Sequence, residues 1–478
     1  MMRLVTFLLC LPLLLGGCTL PVVLSETTGP RPDELVFPPL EFRFPEVQKV
    51  QLDNGMRVYL YEDHELPLVS LSLMVEGGDI NDPLEKTGLS ELFATTMETG
   101  GTKSLSPENL ENELEAKAIN LSVSASTYAY ELGLSLHRND LERGLDIMTE
   151  LVRSPRFAED RFELARKQMV EGLLRMNDDP GSIAVRLLAE AVNPGHPFGT
   201  TPTVEQVKSI SREDLFDLHQ HYFQPANFYL AISGDITEAD LMTLLDKEFS
   251  GWGGAEPLVR DYPALPDQQD GKILLAFKDI PQTTILMGHR GIDKDNPDLF
   301  ALRLADFILG SGGLNSRLMR EIRSNRGLAY SVYSYFRVGR QLPGSFIAGS
   351  ETKSGSTVEV VRLMREMMQQ IIAEPVSPAE LELAKKSLIN SFVFAFENSH
   401  SVVNRVMDHD FYGYPPDYMS TYRDKVAAVT VEDVQQAARK YLHPDKLQIV
   451  LVGDSRVYAD EINSLGLPVE MVDLEQLR

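Results

Sequence analysis

Arg323 and Tyr330 carry side chains whose chemistry suits a carbonyl group. They lie seven residues apart in the segment IRSNRGLAY. A guanidinium and a phenol both donate hydrogen bonds, and donors fixed around a carbonyl oxygen stabilise the negative charge that develops when a nucleophile attacks it. On the spacing alone we prefer a purely structural interpretation, in which Arg323 caps a helix and Tyr330 opens a core strand.

The segment GLSELFATTM, residues 88–97, has the spacing of a metal-binding helix but not its ligands. Its leucines, phenylalanine and methionine recur at helical intervals, which predicts an amphipathic helix with Glu91, Ala94 and Thr95 on a second face. Histidines at the first and third of these positions, with a glutamate between them, would form the inverted zinc motif H-x-x-E-H. Because none of those residues is present, we expect no metal here.

The nine histidines of the chain provide no replacement for such a motif. No two of them are four residues apart. His219 and His221 are close in sequence, but side chains two positions apart on a helix point in different directions. We therefore interpret each histidine as structural or surface-exposed.

Two parts of the chain repeat one template at an offset of 219 residues. Residues 211–235 align with 430–454, and each copy predicts a capped helix, a break at proline and an apolar strand that ends in Gly-Asp. The same offset aligns FELARKQM at 162–169 with LELAKKSL at 381–388. We infer an α+β protein of two homologous domains, each a mostly antiparallel sheet with helices packed on one face.

Composition then divides the chain into five parts. Residues 1–17 are a predicted signal peptide, 18–45 a Pro-rich tether, 46–250 the N-terminal domain, 251–270 a linker and 271–478 the C-terminal domain.

The apolar run at the N-terminus ends in Leu15-Gly16-Gly17-Cys18, a sequence that resembles the bacterial lipoprotein box. That resemblance implies that Cys18 is lipidated, and Thr19 in place of aspartate favours the outer membrane. A plain signal peptide and a membrane anchor are the alternatives, although the run is short for a span of ~20 residues. Cys10 and Cys18 are the only cysteines, so the mature chain contains no disulfide pair.

Overall composition describes a soluble, acidic globular protein. The chain is 43% hydrophobic and carries a formal net charge of −25, which makes nucleic acid an unsuitable partner. The Gly-rich segment LGSGGLNS lacks the Lys-Ser/Thr that completes a P-loop, so it predicts a turn that a peptide can approach rather than a phosphate site.

The order of these segments resembles the pitrilysin and insulinase family of zinc peptidases, in the branch similar to mitochondrial processing peptidase. The resemblance covers nearly all of residues 46–456 and implies two domains that close like a clamshell around a peptide. It places the family's zinc motif on Glu91, Ala94 and Thr95, where both histidines and the general base are replaced. The third metal ligand of the family corresponds to Glu171, followed here by glycine instead of a second glutamate.

The same resemblance gives Arg323 and Tyr330 a role, because competent members place an Arg and a Tyr with this spacing opposite the zinc. Bacterial members similar to this pattern are heterodimers of a zinc-bearing subunit and a metal-free subunit that supplies Arg and Tyr. The resemblance thus implies a non-catalytic periplasmic subunit, zinc in the partner and a peptide or unfolded protein as substrate. A non-cutting, peptide-binding or scaffolding lipoprotein of the cell envelope is one alternative, and an autonomous zinc peptidase with unusual ligands is another.

Overall fold

The computed structural model describes Leu35 and residues 44–253 and 256–475, and the described residues from 44 onward form one compact unit. Cys18 and the predicted signal peptide lie outside the described residues. None of the helices in the described part of the chain is both long and hydrophobic enough to cross a lipid bilayer.

The N-terminal half is built on a six-stranded sheet. Its strands are β1 (Gln48–Gln51), β2 (Arg57–Glu62), β3 (Leu68–Glu76), β4 (Asn120–Ala125), β5 (Ala129–His137) and β6 (Phe228–Gly234). They lie in the order β1-β2-β6-β3-β5-β4, and every neighbouring pair is antiparallel except β2 and β6. The turn between β1 and β2 contains Asp53, Asn54 and Gly55, residue types that favour a tight hairpin turn.

A second six-stranded sheet in the C-terminal half repeats the order of five of these strands, and its sixth strand, Val469–Val472, differs from β1 in chain position and in direction. Its strands are β7 (Lys272–Phe277), β8 (Gln282–Arg290), β9 (Ala329–Arg337), β10 (Ser345–Lys353), β11 (Gln448–Gly453) and β12 (Val469–Val472). Their order is β12-β7-β11-β8-β10-β9, with parallel pairing only where β7 meets β11 and β12. The equivalent edge strands are therefore β4 and β9.

Most helices lie between equivalent strands in the two halves. Those of the N-terminal half are α1 (Leu89–Thr99), α2 (Pro107–Ala116), α3 (Leu141–Arg153), α4 (Glu159–Arg175), α5 (Pro180–Val192), α6 (Val204–Ser209), α7 (Arg212–Tyr222) and α8 (Glu238–Phe249). Those of the C-terminal half are α9 (Leu299–Asp306), α10 (Thr357–Ala373), α11 (Pro378–Ser391), α12 (Ser399–Tyr412), α13 (Tyr418–Ala428) and α14 (Val431–Tyr441). Helices α2 and α8 have no α-helical counterpart among the described residues of the C-terminal half. Two π-helical segments, Phe307–Ser311 and Met319–Asn325, lie between α9 and β9.

The predicted duplication is confirmed in the structure. Helix α7 begins with a capping box between Ser211 and Asp214, and α14 begins with the same arrangement between Thr430 and Asp433. Each cap satisfies backbone N–H groups that the first helical turn leaves unpaired, which is why both helices begin where the sequence predicts. The α+β class, with two homologous and mostly antiparallel halves, is confirmed as well.

One helix of each half packs on the sheet of the other half, which we did not predict from the sequence. The apolar face of α5 packs on the C-terminal sheet, where Ile183, Leu187 and Leu188 meet side chains that include Leu274 and Val450. Conversely, α12 packs on the N-terminal sheet, where its residues from Val403 to Tyr412 meet Tyr59, Met74 and Tyr229. The halves' own helices cover the opposite faces, so both faces of each sheet carry helices.

The Gly-rich segment LGSGGLNS begins within a helical turn, and its residues Gly313–Asn315 are exposed. Residues Phe307–Ser311 form a π-helical turn that lies against the edge strand β9. Gly310 makes the approach possible, because a Cβ atom there would lie 2.3 Å from the Ser334 nitrogen. The glycines thus bring a helical turn close to the sheet edge.

Candidate functional site

Arg323 and Tyr330 lie side by side. Arg323 belongs to the π-helical segment Met319–Asn325, and Tyr330 lies on β9, an edge strand of the C-terminal sheet. The Arg323 guanidinium is 4.7 Å from the centre of the Tyr330 ring, a cation–π distance. Tyr330 is 83% exposed, so it does not belong to the core. Neither polar group makes a hydrogen bond or ion pair with any residue that the structure describes. Both donors are therefore free to bind a ligand.

A β-bulge turns Tyr330 towards solvent. In the pairing of β9 with β10, Val332 faces Ser350 and Ala329 faces Thr352, so Tyr330 and Ser331 together oppose one residue. Val332 and Ser334 are buried on the helix-covered face, and regular alternation would put Tyr330 on that same face. The inserted residue re-aims the phenol to the open face, a use of bulges that is common beside active sites.

Carboxylates from nearby helices accept hydrogen bonds from the edge strands β9 and β4 of the two sheets. In the C-terminal half, Asp306 accepts hydrogen bonds from Ser334 Oγ at 2.6 Å and from the Phe336 backbone N–H. Burial raises the pKa of Asp306 to about 6, against the opposing effect of these bonds. In the N-terminal half, Glu98 of α1 accepts from the Val123 N–H of β4 at 2.7 Å. A peptide that added to either edge would have to displace these carboxylates.

The start of α1 is fixed by a carboxylate from the preceding loop. The carboxylate of Asp82 accepts from the backbone N–H groups of Gly88 and Ser90 and from the Ser90 hydroxyl at 2.6 Å. The Ser90 hydroxyl is also 2.7 Å from the Tyr130 hydroxyl. Burial raises the pKa of Asp82 to about 6, and the bonds to Ser90 and Gly88 oppose that rise. This network orients the helix on which the family's zinc motif falls.

The three positions of the lost zinc motif do not share one exposed face. Glu91 and Thr95 are exposed, whereas Ala94 is only 3% exposed and belongs to the hydrophobic core beside Phe93 and Met97. Our placement of Ala94 with the two polar residues was wrong, because at ~100° per residue it falls between them and the apolar stripe.

The carboxylates near this helix repel one another. The pKa of Glu91 is raised, first because neighbouring protein atoms displace part of its water and second because Asp79 is close. Burial likewise raises the pKa of Asp79, while the charge of Arg337 on β9 opposes that shift. The far end of β9, where Arg337 lies, is therefore close to the N-terminal half.

These residues do not fit a zinc ion. A catalytic zinc site needs three protein ligands and an open position, and its motif supplies two imidazole nitrogens and a base. Glu91 offers one carboxylate, Thr95 a hydroxyl and Ala94 nothing. Glu171 is exposed and lies 3.9 Å from Lys167 on its own helix. Within residues 44–253 and 256–475, no three His, Cys, Asp or Glu side chains are grouped so that they could hold a metal.

Several histidines have structural partners instead. The ring of His219 bonds to the Val152 carbonyl at 2.9 Å, and His289, whose pKa burial lowers to about 4, bonds to the Arg290 carbonyl at 2.7 Å. His400 of α12 lies 3.0 Å from Ser72 Oγ and 3.1 Å from Ser233 Oγ. His400 therefore helps to attach α12 to the N-terminal sheet.

Sequence reasoning overlooked two further aromatic residues beside the Arg323 and Tyr330 pair. Tyr333 and Tyr335 share the open face of β9 and are 38% and 41% exposed. The alternation in AYSVYSYFR would have placed them on one face of a strand, so a signal was present.

Two models of one peptidase family match the chain. Residues 57–201 match the model described as insulinase (peptidase family M16), and residues 209–388 match the one described as peptidase M16 inactive domain.

Relatives and solved structures agree with these matches. A Helicobacter pylori protein named non-peptidase homolog YmxG is 26% identical over 399 residues, which is 83% of this chain and 91% of that protein. An uncharacterized zinc protease YmxG of Bacillus subtilis is 21% identical over 84% of this chain and 96% of that protein.

A Pseudomonas fluorescens structure titled as a peptidase M16 inactive domain superposes with a TM-score of 0.77 at 23% identity, over 86% of this chain and 98% of its own. The periplasmic protease PqqL of Escherichia coli gives a TM-score of 0.74 at 18% identity, over 87% of this chain and 46% of its own. At these identities the likeness concerns the fold.

Proposed function

Because the chain belongs to the insulinase family of peptidases, peptidase family M16, and lacks that family's zinc-binding residues, we propose that it is the non-catalytic subunit of a periplasmic heterodimeric zinc endopeptidase. Its partner is a homologous subunit that carries the zinc motif. This chain supplies Arg323 and Tyr330 to the shared site, and the substrate is a peptide or unfolded protein.

One observation carries the proposal: two hydrogen-bond donors, the half-buried Arg323 and the exposed Tyr330, stand together and unpaired, and the described residues provide no group of ligands for a metal. A structural arginine is normally paired with a carboxylate or a carbonyl, as Arg317 is with Glu380 at 2.9 Å. Arg323 has only the Tyr330 ring beside it. The bulge that exposes Tyr330 has no use in the core of this half, but it gives the phenol access to a bound peptide.

The chemical role of this chain is to bind and polarise the substrate carbonyl. The guanidinium of Arg323 and the hydroxyl of Tyr330 donate hydrogen bonds to the carbonyl oxygen of the peptide bond to be cut. These bonds strengthen as negative charge develops on that oxygen, so they stabilise the transition state more than the bound substrate. The partner supplies the metal and the water that attacks.

The proposal is tested by mixing the purified protein with a homologue from the same organism that carries the H-x-x-E-H motif and measuring hydrolysis of an unfolded protein. Neither chain alone should be active. Arg323→Ala and Tyr330→Phe should each lower kcat of the mixture by about 100-fold or more, the range expected for loss of an oxyanion donor.

A matched control is Arg326→Ala, since Arg326 lies on the same turn but pairs with Glu321 at 2.6 Å and Glu359 at 3.2 Å. That variant should leave the rate of the mixture unchanged. An equal rate for Arg323→Ala, Tyr330→Phe and the unaltered protein would overturn the shared site.

Attachment to the outer membrane through Cys18 is part of the same proposal. Cys18 is the last residue of the lipoprotein-like box at residues 15–18, and its acylation would keep the subunit at the inner surface of the outer membrane.

A second candidate function is peptide binding without cleavage. The exposed aromatic side chains of β9 favour it, because a chain that only holds peptides needs such a surface but no metal. It predicts peptide affinity that is the same with and without a partner, and no partner-dependent hydrolysis. The third alternative, an autonomous zinc peptidase, requires stoichiometric zinc in the purified chain after dialysis, and we expect none.

A further inference from the structure

The face of the C-terminal sheet on which α5 packs is only partly covered by that helix. Helix α5 packs over β7, β8 and β11, where its leucines meet Leu274, Leu286 and Val450. The two strands at the other end of the sheet, β10 and β9, extend beyond this helix. Their outward side chains include Tyr333 and Tyr335, which are 38% and 41% exposed although they are large and aromatic.

These two rings stack beside each other, and we call the pair the tyrosine platform. The ring centres of Tyr333 and Tyr335 are 5.9 Å apart and their planes differ by 15°. Tyr333 lies across β10 at Gly349, where an added Cβ atom would be 2.5 Å from the tyrosine hydroxyl oxygen. Because only glycine leaves room there, the ring rests on the backbone of β10 instead of standing up from the sheet.

The charges around the platform differ from those of the chain as a whole. The protein has a formal net charge of −25, yet Arg323 stands at one end of this face without a carboxylate partner among the described residues. At the other end of β9, Arg337 acts on Asp79. Glu351 of β10 is the carboxylate close to Tyr333. A neutral apolar group therefore meets rings at the centre of this face and polar groups only at its margins.

We propose that the tyrosine platform is a specificity subsite that binds one aromatic or large aliphatic side chain of an extended polypeptide. The inference rests on the proposed function, since the same polypeptide would place a carbonyl on Arg323 and Tyr330. A β-strand rises ~3.3 Å per residue, so the platform begins roughly 10 Å from Tyr330 and ends roughly 17 Å from it. The preferred side chain lies about three to five residues from the bound carbonyl.

The occupant is a polypeptide because the platform is continuous with the carbonyl-binding pair along a single strand. Offset stacking and CH–π contacts on a tyrosine face favour aromatic and aliphatic side chains and need no hydrogen-bond readout. The platform therefore selects a class of residue and not a sequence.

The test measures binding of fluorescent peptides to the purified full-length protein without any partner. One peptide contains Gly, Ser and Thr with a single Phe, and its twin has Ser in place of Phe. Fluorescence anisotropy should show that the Phe peptide binds about tenfold more tightly, a gain of the size that one aromatic contact gives. The Tyr333→Ala/Tyr335→Ala variant should bind both peptides equally weakly.

Two further variants separate the platform from general damage to the fold. Tyr333→Phe/Tyr335→Phe keeps both rings and should retain the preference, whereas Gly349→Ala displaces the Tyr333 ring and should reduce it. Phe277→Ala is the matched control, because Phe277 is 41% exposed on β7 of the same sheet and lies away from β9.

The outcomes are distinct from those of the hydrolysis assay. A preference for Phe that the double alanine variant removes supports the platform, even if no partner-dependent activity is found. Equal binding of the two peptides to the unaltered protein overturns it, and so does a preference that survives in the double alanine variant. Binding of a neutral oligosaccharide in place of either peptide would also overturn it.

Discussion

Replacing Asp306 by asparagine should stabilise the protein at pH 7 and not at pH 4. Asp306 is 6% exposed, and its carboxyl accepts from Ser334 Oγ and from the Phe336 N–H at the edge of β9. Burial raises its pKa from 3.8 to about 6. The folded protein thus holds this proton more tightly than the unfolded chain does. The stability associated with the neutral acid is fully present below the unfolded pKa, and it is lost as the pH rises through the folded pKa.

The magnitude follows from that pKa difference. A rise of about two pKa units corresponds to ~3 kcal/mol of unfavourable free energy at pH 7, where the carboxyl is ionised in both states. Asparagine removes the charge but keeps only one acceptor oxygen, so one hydrogen bond worth ~1 kcal/mol is lost. We therefore expect Asp306→Asn to gain about 2 kcal/mol at pH 7 and to lose about 1 kcal/mol at pH 4.

Urea unfolding followed by far-ultraviolet circular dichroism at pH 4, 5.5 and 7 measures this difference. At each pH the unfolding free energy of the variant must be compared with that of the unaltered protein, because His289 and His409 also make stability depend on pH. Burial lowers the pKa of both to about 4. Their neutral forms contribute stability that is present above the ordinary pKa and is lost as the pH falls through about 4, opposite in sign to Asp306. If the variant changes the unfolding free energy equally at pH 4 and pH 7, Asp306 holds no buried charge and the reasoning fails.

Three other predictions concern single positions. Glu380, whose pKa the two bonds from Arg317 lower to about 2, contributes stability that is lost only as the pH falls from 4.5 towards 2. Glu380→Gln should therefore cost about 2 kcal/mol in urea unfolding at both pH 7 and pH 5, and a cost confined to pH 7 would contradict this. Ala94→Glu should cost about 3 kcal/mol because it puts a carboxylate into the core, whereas Thr95→Glu at the exposed neighbour should change stability by less than about 0.5 kcal/mol. Cys18→Ser should move the protein from the detergent phase to the aqueous phase in a phase-partition assay of cell envelopes, and an unaltered protein already in the aqueous phase would refute lipidation.

The parts of the fold that depend on local residues could be predicted from the sequence. Ser211 and Thr430 cap their helices through side chains three residues away, so the signal and the structure lie in the same short segment. The exchange of α5 and α12 could not be predicted in this way, because an apolar helical face does not reveal which of two similar sheets it will cover.

Prediction of the candidate site was limited for the same reason. The spacing of Arg323 and Tyr330 is visible in the sequence, but the bulge that exposes Tyr330 depends on the register with β10, the next strand of the hairpin, and residue spacing does not reveal that register. Ala94 was misplaced because a helical wheel gives angles and not the neighbours that surround a side chain. Asp306 shows its role only once the π-helical turn brings it to the edge of β9.

The exchanged helices mean that neither half of this protein is complete alone. If α5 and α12 were removed with their own halves, each sheet would expose to water the apolar face that now contacts the other half's helix. A cut within residues 251–270 should therefore yield two fragments that stay associated without a covalent link. An ancestral chain of one half, before the duplication, would on the same grounds have folded as a pair of identical molecules, each completing the other.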